Sequence, residues 1–384
     1  MLTNADIAEL VAFRRQLHRR PELSGQEQAT AATILSALQA LSPTRLVAGL
    51  GGHGVAAVFD SGNRGPTVMF RAELDALPIV EESGVAWTSL VPGTAHLCGH
   101  DGHMTILVGL GRLLHRRPIE SGRVVLMFQP AEENGSGARA VVADPHFADI
   151  APDWAFAIHN LPGLAFGYVG MRAGLINCAS RGIAIRIEGR TSHAAEPELA
   201  CSPVGLLGTI ITYLESLGSG GVLDEHFRLA TVTHVNVGKP SFGITPGSAD
   251  IMVTLRASTD DGVDDMEAAV RRQFVELASK EGLNVNFSIH DEFAASINDE
   301  AAVAVATRAL DQLGILHGSD GVPMRASEDF GVFGWNARSA MLCLGSGVDH
   351  PALHQPGYDF PDDLIPIGAH IFERIARDLC RAET

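Results

Sequence analysis

The chain has 384 residues, 46% of them hydrophobic and 19% charged, a composition that builds packed cores and excludes a disordered or collagen-like chain. Lys and Arg number 28 against 45 Asp and Glu, and the resulting charge of -17 repels phosphate backbones and anionic lipid, so neither nucleic acid nor a membrane is expected as a partner. Five scattered cysteines, Cys98, Cys178, Cys201, Cys343 and Cys380, form no CxxC pair, which argues against a disulfide framework or zinc ribbon and fits a reducing cytoplasm.

The N-terminal MLTNADIAELVAF carries Asp6 and Glu9 where a signal peptide would need a basic patch, and no stretch reaches the roughly 18 apolar residues of a membrane span, so a soluble protein is expected. Thr3 or Asn4 can cap a first helix with Ile7, Leu10, Val11 and Leu17 on one face, ended by Pro21. A second amphipathic helix is predicted from about Gln26 to Leu41. GLGGHG at 49–54 lacks the GxGxxG spacing and precedes its strand, so it reads as a turn.

The character then changes to short apolar runs: GVAAVFD at 54–60, TVMFRAELD at 67–75, RVVLMFQPAEE at 123–133, WAFAIHN at 154–160 and SAMLCLGS at 339–346. Each is apolar on both faces, like a buried strand of a parallel or mixed sheet, and a helical pattern from His103 to Arg116 lies between two of them. From about 179 to 290 the order becomes βαββαβ, which predicts a ferredoxin-like α/β lid inserted into a first domain made of 1–178 and 291–384.

Polar groups collect where the apolar runs end: Arg71, Glu73 and Asp75, then Glu132 and Glu133, then His159 and Asn160. Ligands of α/β sheets bind outside the carboxyl ends of strands, so these groups are expected in one crevice, joined by the segment HLCGHDGHM at 96–104. Cys98 and His100, two apart, can face one way and reach one metal or two adjacent ones. A buried cysteine beside a capping histidine is the alternative. The helix that follows would lower the thiol pKa, Asp101 could cap it or orient a histidine, and His103 fits a surface or capping role better than a ligand.

A Glu pair on a glycine-rich loop can be solvated charge. At a strand end facing Cys98 and His100, one carboxylate can bind metal while its divergent neighbour takes a proton from water. With His159 and His354 the chain offers five ligands, Cys98, His100, Glu133, His159 and His354, for a dinuclear site. Thiolate with imidazole favours Zn, Co or Ni over Mg, and availability can load Mn.

The stretches RRQLHRRPELSGQE, RAELDALPIVEE, LCGHDGHMTILVGLGRLL, FQPAEENGSGA, AIHNLPGLAFG, GRTSHAAEP, SEDFGVF and LHQPGYDFPDD together resemble the dinuclear metallopeptidase family of aminoacylases, dipeptidases and carboxypeptidases over essentially the whole chain. The likeness is to its amidohydrolase branch, which includes hippurate hydrolases, N-acyl-amino-acid deacylases and auxin-conjugate hydrolases. The resemblance implies a mixed-sheet catalytic domain carrying two divalent ions on the five ligands above. It further implies hydrolysis of N-acyl amino acids by metal-activated water, with Glu132 as general base and His193 at the oxyanion or substrate carboxylate. Arg256 would clamp the product's carboxylate, or would be a surface arginine, and the lid would form a homodimer. Gly243 and Glu198 depart from residues common in the family, which touches the choice of substrate and not the hydrolytic core. A dipeptidase or carboxypeptidase on the same fold, or a non-catalytic binder, are the competing expectations.

Overall fold

A computed structural model of the chain describes residues 1–382. It divides into two compact units, each described by itself: the first comprises Met1–Ile176, Ser296–Pro323 and the chain from Glu328 onward, and the second Asn177–Ala295 with Met324–Ser327.

The first unit is built on an eight-stranded mixed sheet. In chain order its leading strands are β1 (Arg45–Leu50), β2 (Gly54–Asp60), β3 (Thr67–Glu73), β4 (Arg123–Gln129) and β5 (Trp154–Leu161), and they lie side by side in the order β1-β2-β4-β3-β5. The strand Arg338–Gly345 follows, and then the two-residue strands Val169–Gly170 and His317–Gly318. β4, β3, β5 and Arg338–Gly345 run parallel to one another, while β2 pairs antiparallel with β4. The parallel strands are buried on both faces, which is why their sequences show no polar alternation. The edge strand β1, with a burial pattern of exposed and covered residues, has no such apolar signature and escapes a sequence reading.

Three helices cover one region of this sheet: α1 (Asn4–His18), α2 (Gln28–Gln39) and α3 (His100–Arg116), with the C-terminal helix Leu364–Leu379 packed on α3. α1 starts at a capping box in which Thr3 and Asp6 satisfy each other's backbone, as the sequence predicted for Thr3. α3 starts three residues before the predicted His103, and its cap is Gly99 in the left-handed region at φ 93, not Asp101. A Cβ on Gly99 would stand 2.1 Å from Asn160 Oδ1, and one on Gly102 would stand 2.3 Å from the Phe360 ring. The glycines of HLCGHDGHM therefore let a helix start pack directly against β5 and the late loop.

α1 is anchored by charge as well as by Leu10 and Leu17. Arg14 is fully buried, and its guanidinium reaches Asp101 at 3.2 Å, Asp359 at 2.6 Å and Asp362 at 2.8 Å. His18, equally buried, lies 2.9 Å from Asp101 through Nδ1 and 3.1 Å from Glu81 through Nε2. Burial opposes a charged His18, but Asp101 and Glu81 outweigh it and raise its pKa to about 9.

The second unit holds a four-stranded antiparallel sheet ordered Arg228–Val237, Ser248–Ala257, Ala179–Glu188, Asn284–Phe293, with helices Val204–Ser216 and Asp260–Lys280. The order of elements along the chain is βαββαβ.

A raised folded-state pKa on His18 adds stability that is complete below the ordinary histidine value near 6.5 and fades as pH climbs through about 9. Thermal unfolding of the wild type should therefore lose melting temperature between those two pH values, and H18N should lack that part of the slope. Parallel melting curves against pH for the two proteins would remove the charged His18–Asp101 pair from the account.

Candidate metal centre

The four parallel strands deliver their polar ends to one place. β3 brings Glu73 and, just beyond, Asp75; β4 is followed by Glu132 and Glu133; β5 carries His159 and Asn160; and the chain after Arg338–Gly345 supplies His354. Gly99 turns Cys98 and His100 into the same crevice at the start of α3. Cys98 Sγ lies 3.4 Å from His159 Nε2, and His100 Nε2 lies 3.8 Å from both Glu132 Oε2 and Glu133 Oε1. His354 Nε2 lies 3.7 Å from Glu133 Oε2.

Two triads emerge, Cys98–His100–His159 and Cys98–Glu133–His354, each with donor atoms within 4.8 Å of one another. They share the Cys98 sulfur. Three further groupings, His100–Glu132–Glu133, Glu73–His100–His103 and Glu132–Glu328–Asp329, come within the same distance, but Glu73, Glu328 and Asp329 surround the buried Arg71 guanidinium, and Glu73 also holds His103 Nδ1 at 2.7 Å. Glu328 and Asp329 are 2.8 Å and 2.7 Å from Arg71 Nη2. Glu73 stays well below the usual carboxylate range despite its burial, because Arg71 and His103 stabilise its charge.

The ligand histidines are oriented from behind, as metal-binding imidazoles commonly are. His100 Nδ1 sits 2.8 Å from the Asp75 carbonyl and His159 Nδ1 sits 2.8 Å from the Asn160 carbonyl, so each donates there and turns Nε2 toward the crevice. His100 Nε2, Glu133 Oε1 and Asp75 Oδ1 are buried and have no hydrogen-bond partner among the described residues. Buried polar atoms rarely remain unpaired.

Electrostatics gives the same answer. Burial, then the neighbouring Glu328 and Glu133, raises Glu132 well above the usual carboxylate range, and burial raises Glu133 too. Burial and then the Glu133 and Glu132 carboxylates push the Cys98 thiol far up. The direction is opposite to the one expected from the helix start: burial first, and then the glutamates, favour the thiol. Burial disfavours charge on His100, yet Asp75, Glu73 and Glu133 raise it to about 10. Burial, with negative charge crowded beside it, favours the protonated forms of Cys98, Glu132 and Glu133, and divalent cations bound there would replace protons. The thiolate, imidazole and carboxylate donors suit such ions.

Two expectations for HLCGHDGHM change. His103 is buried, not a surface group: it bridges Glu73 and, through Nε2, Asn160 Oδ1 at 2.6 Å. Asp101 orients His18 and Arg14 instead of capping α3. His96 is a neutral core histidine, lowered to about 4 chiefly by burial.

Sequence reasoning placed Arg71 in the crevice without a specific task and held Glu328 and Asp329 only as part of the motif SEDFGVF. The signal for Arg71 was a lone arginine in the apolar run TVMFRAELD.

His193 and Arg256 belong to the second unit. His193 is exposed on the short strand Ser192–His193, with Nδ1 accepting from the Ala195 N–H at 3.1 Å. Arg256 is partly covered and its Nη1 donates to Ser327 Oγ at 2.7 Å and the Arg325 carbonyl at 3.1 Å.

Comparison with known proteins brings three results together with this geometry. An N-acetyl-L-cysteine deacetylase of Bacillus subtilis is 29% identical over 97% of this chain and 88% of its own length. IAA-amino acid hydrolase ILR1-like 2 of Arabidopsis thaliana is 30% identical, with 96% of this chain and 84% of its own length covered. The crystal structure of the Bacillus subtilis YXEP protein, a dinuclear metal binding peptidase from the M20 family, superposes with a TM-score of 0.82 at 25% identity, covering 98% of this chain and 99% of that one. A sequence model of Peptidase family M20/M25/M40 matches residues 69–378, a span that holds all six residues gathered in the crevice, and the chain belongs to that family.

Proposed function

We propose that the protein is a metal-dependent amidohydrolase that cleaves the amide bond of N-acyl amino acids. The observation that carries this reading is the pair Glu132–Glu133. Two adjacent glutamates, Glu132 buried and Glu133 partly covered, share His100 but otherwise face different partners, Glu133 toward Cys98 and His354, and Glu132 toward Glu328 and Asp329. A binding site needs only one of them. Deacetylase and amino acid hydrolase activities in the full-length relatives support the same class.

Cys98, His100, Glu133, His159 and His354 would hold two divalent ions, Zn, Mn, Co or Ni. Bound there, such ions supply charge that polarises the acyl carbonyl and acidifies water. Glu132, raised above an ordinary carboxylate by burial and by Glu328 and Glu133, is suited to take a proton on a carboxylate oxygen and return it to the departing amine. Arg71, Glu328 and Asp329 fix the field in which Glu132 does this.

His193 is proposed to stabilise the oxyanion or the substrate carboxylate, and Arg256 to bind the product carboxylate. Homodimerisation through the inserted unit and a cytoplasmic location complete the proposal. Its supports are the scattered free cysteines and the fact that no helix among the described residues is long and apolar enough to cross a membrane.

E132Q removes the proton carrier, so kcat on N-acetyl or N-benzoyl amino acids should fall by about 10²–10⁴ with metal content unchanged. A wild type that turned over free dipeptides and left acyl amino acids untouched would instead identify an exopeptidase. Chelation should abolish turnover, lower the melting temperature and be reversed by added Zn or Mn. Chelated enzyme that kept both activity and melting point would exclude the two-ion site. R256A should raise KM for acyl amino acids with kcat little changed, whereas H193A should lower kcat; steady-state kinetics of both variants, indistinguishable from wild type, would withdraw these two roles.

A further inference from the structure

Of the two peptide N–H groups on either side of Glu132, one is bound directly by the segment that follows α1 and the other by Asp75, which that segment contacts. On one side the Ala131 N–H donates to Glu27 Oε1 at 2.8 Å. On the other the Glu133 N–H donates to Asp75 Oδ2 at 2.9 Å, and that same oxygen accepts from Ser24 Oγ at 2.7 Å. Residues 24 to 27 thus hold one side of the turn directly, through Glu27, and touch the other only through the Ser24–Asp75 hydrogen bond. Glu27 is wholly buried, and its Oε1 also accepts from the Gly25 N–H at 2.9 Å, which ties the grip to its own loop.

Ala131 itself is unusual. It sits at φ 50, in the left-handed region that a residue with a Cβ reaches at a cost of about 1–2 kcal/mol. The turn is closed further by the Gly137 N–H donating to the Ala131 carbonyl at 2.9 Å and the Gly135 N–H donating to the Glu132 carbonyl at 2.8 Å. A strained conformation persists only where its surroundings over-determine it. The strain has a use, because the sharp turn after β4 is what sends two consecutive carboxylates to different partners.

We infer that Glu27 is a positioning residue for the proposed hydrolysis: by accepting the Ala131 N–H it holds the left-handed turn that aims Glu132. The inference rests on the amidohydrolase reading for its kinetic consequence and on the turn geometry for its structural one. Glu27 acts through the reach of one oxygen. Its second oxygen, Oε2, is buried without a hydrogen-bond partner among the described residues, so the site uses an acceptor at a fixed position and leaves the other half of the carboxylate idle.

Two variants separate reach from charge. E27Q keeps the length and an amide oxygen as acceptor but loses the charge, whereas E27D keeps the charge and withdraws the acceptor by one methylene. For metal-loaded enzyme, E27D should lower kcat on an N-acyl amino acid by about 10-fold or more with KM within about threefold, since small displacements of a reacting group are costly in rate. E27Q should stay within about threefold of wild type in kcat. Hydrogen exchange read by mass spectrometry should accelerate over residues 129–135 in E27D and not in E27Q, with metal content and melting temperature recorded for each protein. E27D that matched wild type in both kcat and exchange, or E27Q that fell as far as E27D, would overturn the inference. A wild type inactive on every acyl amino acid would sink the functional reading alone, because the exchange experiment still judges Glu27.

Discussion

Six carboxylates and a thiol converge at the carboxyl ends of the parallel strands, with Arg71 as the arginine among them, and the rest of the first unit is arranged around that imbalance. Arg71, buried and extended from β3, neutralises Glu73, Glu328 and Asp329 on one side. Beside Glu132, Glu133 and Cys98 stands the imidazole of His100, 3.8 Å from each glutamate, and burial still raises all three. A buried charge without a partner is expensive, so that side either keeps its protons or takes up cations. The division decides which carboxylates are structural and which are open to ligands, though all lie close together.

Much of this was legible in the sequence, for physical reasons. Buried parallel strands are apolar on both faces, so β2 to β5 announced themselves as runs, and the polar residues that ended those runs marked the crevice. The ligand set came from motif likeness: spacing alone left Cys98 and His100 open to a bland reading. What the sequence hid is pairing at long range. Arg14 finds Asp101 and Asp362 at separations of 87 and 348 residues, and Arg71 finds Glu328 at 257. No periodicity encodes such contacts. The direction of the thiol shift was not visible because a helix start is local in sequence, whereas the burial of Cys98 and the glutamates beside it, which follow β4, come from the folded chain.

The same reasoning explains why HLCGHDGHM looks richer than it is. Four of its five polar groups serve three neighbourhoods, and His96 lies in the core. Cys98 and His100 face the crevice, His103 links Glu73 to Asn160, and Asp101 faces α1, where His18 and Arg14 meet it. Consecutive residues of a helix start cannot all point one way, because successive side chains fan out at about 100°. Gly99 and Gly102 remove the side chains that would have blocked Asn160 and Phe360 from closing on this start. Ligand density in a sequence therefore measures packing density around a helix end as much as it measures metal binding.

Adjacent glutamates with divergent tasks pose a geometric demand that a regular element meets only in part. Along a strand neighbours alternate faces, which puts them on opposite sides of the sheet, and on a helix they are turned apart by about 100°. Glu132 and Glu133 must part and yet both stay at the crevice, where His100 Nε2 stands 3.8 Å from each. The sharp turn at Ala131, just past the end of β4, meets that demand. The cost is a strained backbone, and hydrogen bonds from both sides of the peptide hold it. The late loop meets its own demand in the same way: His354 also lies in the left-handed region, at φ 64, with its N–H bound to the Leu97 carbonyl at 2.8 Å. Strain at two points of the crevice, one beside the proposed base and one on a proposed ligand, marks where the fold gives up local comfort to bring side chains from distant strands to a common centre.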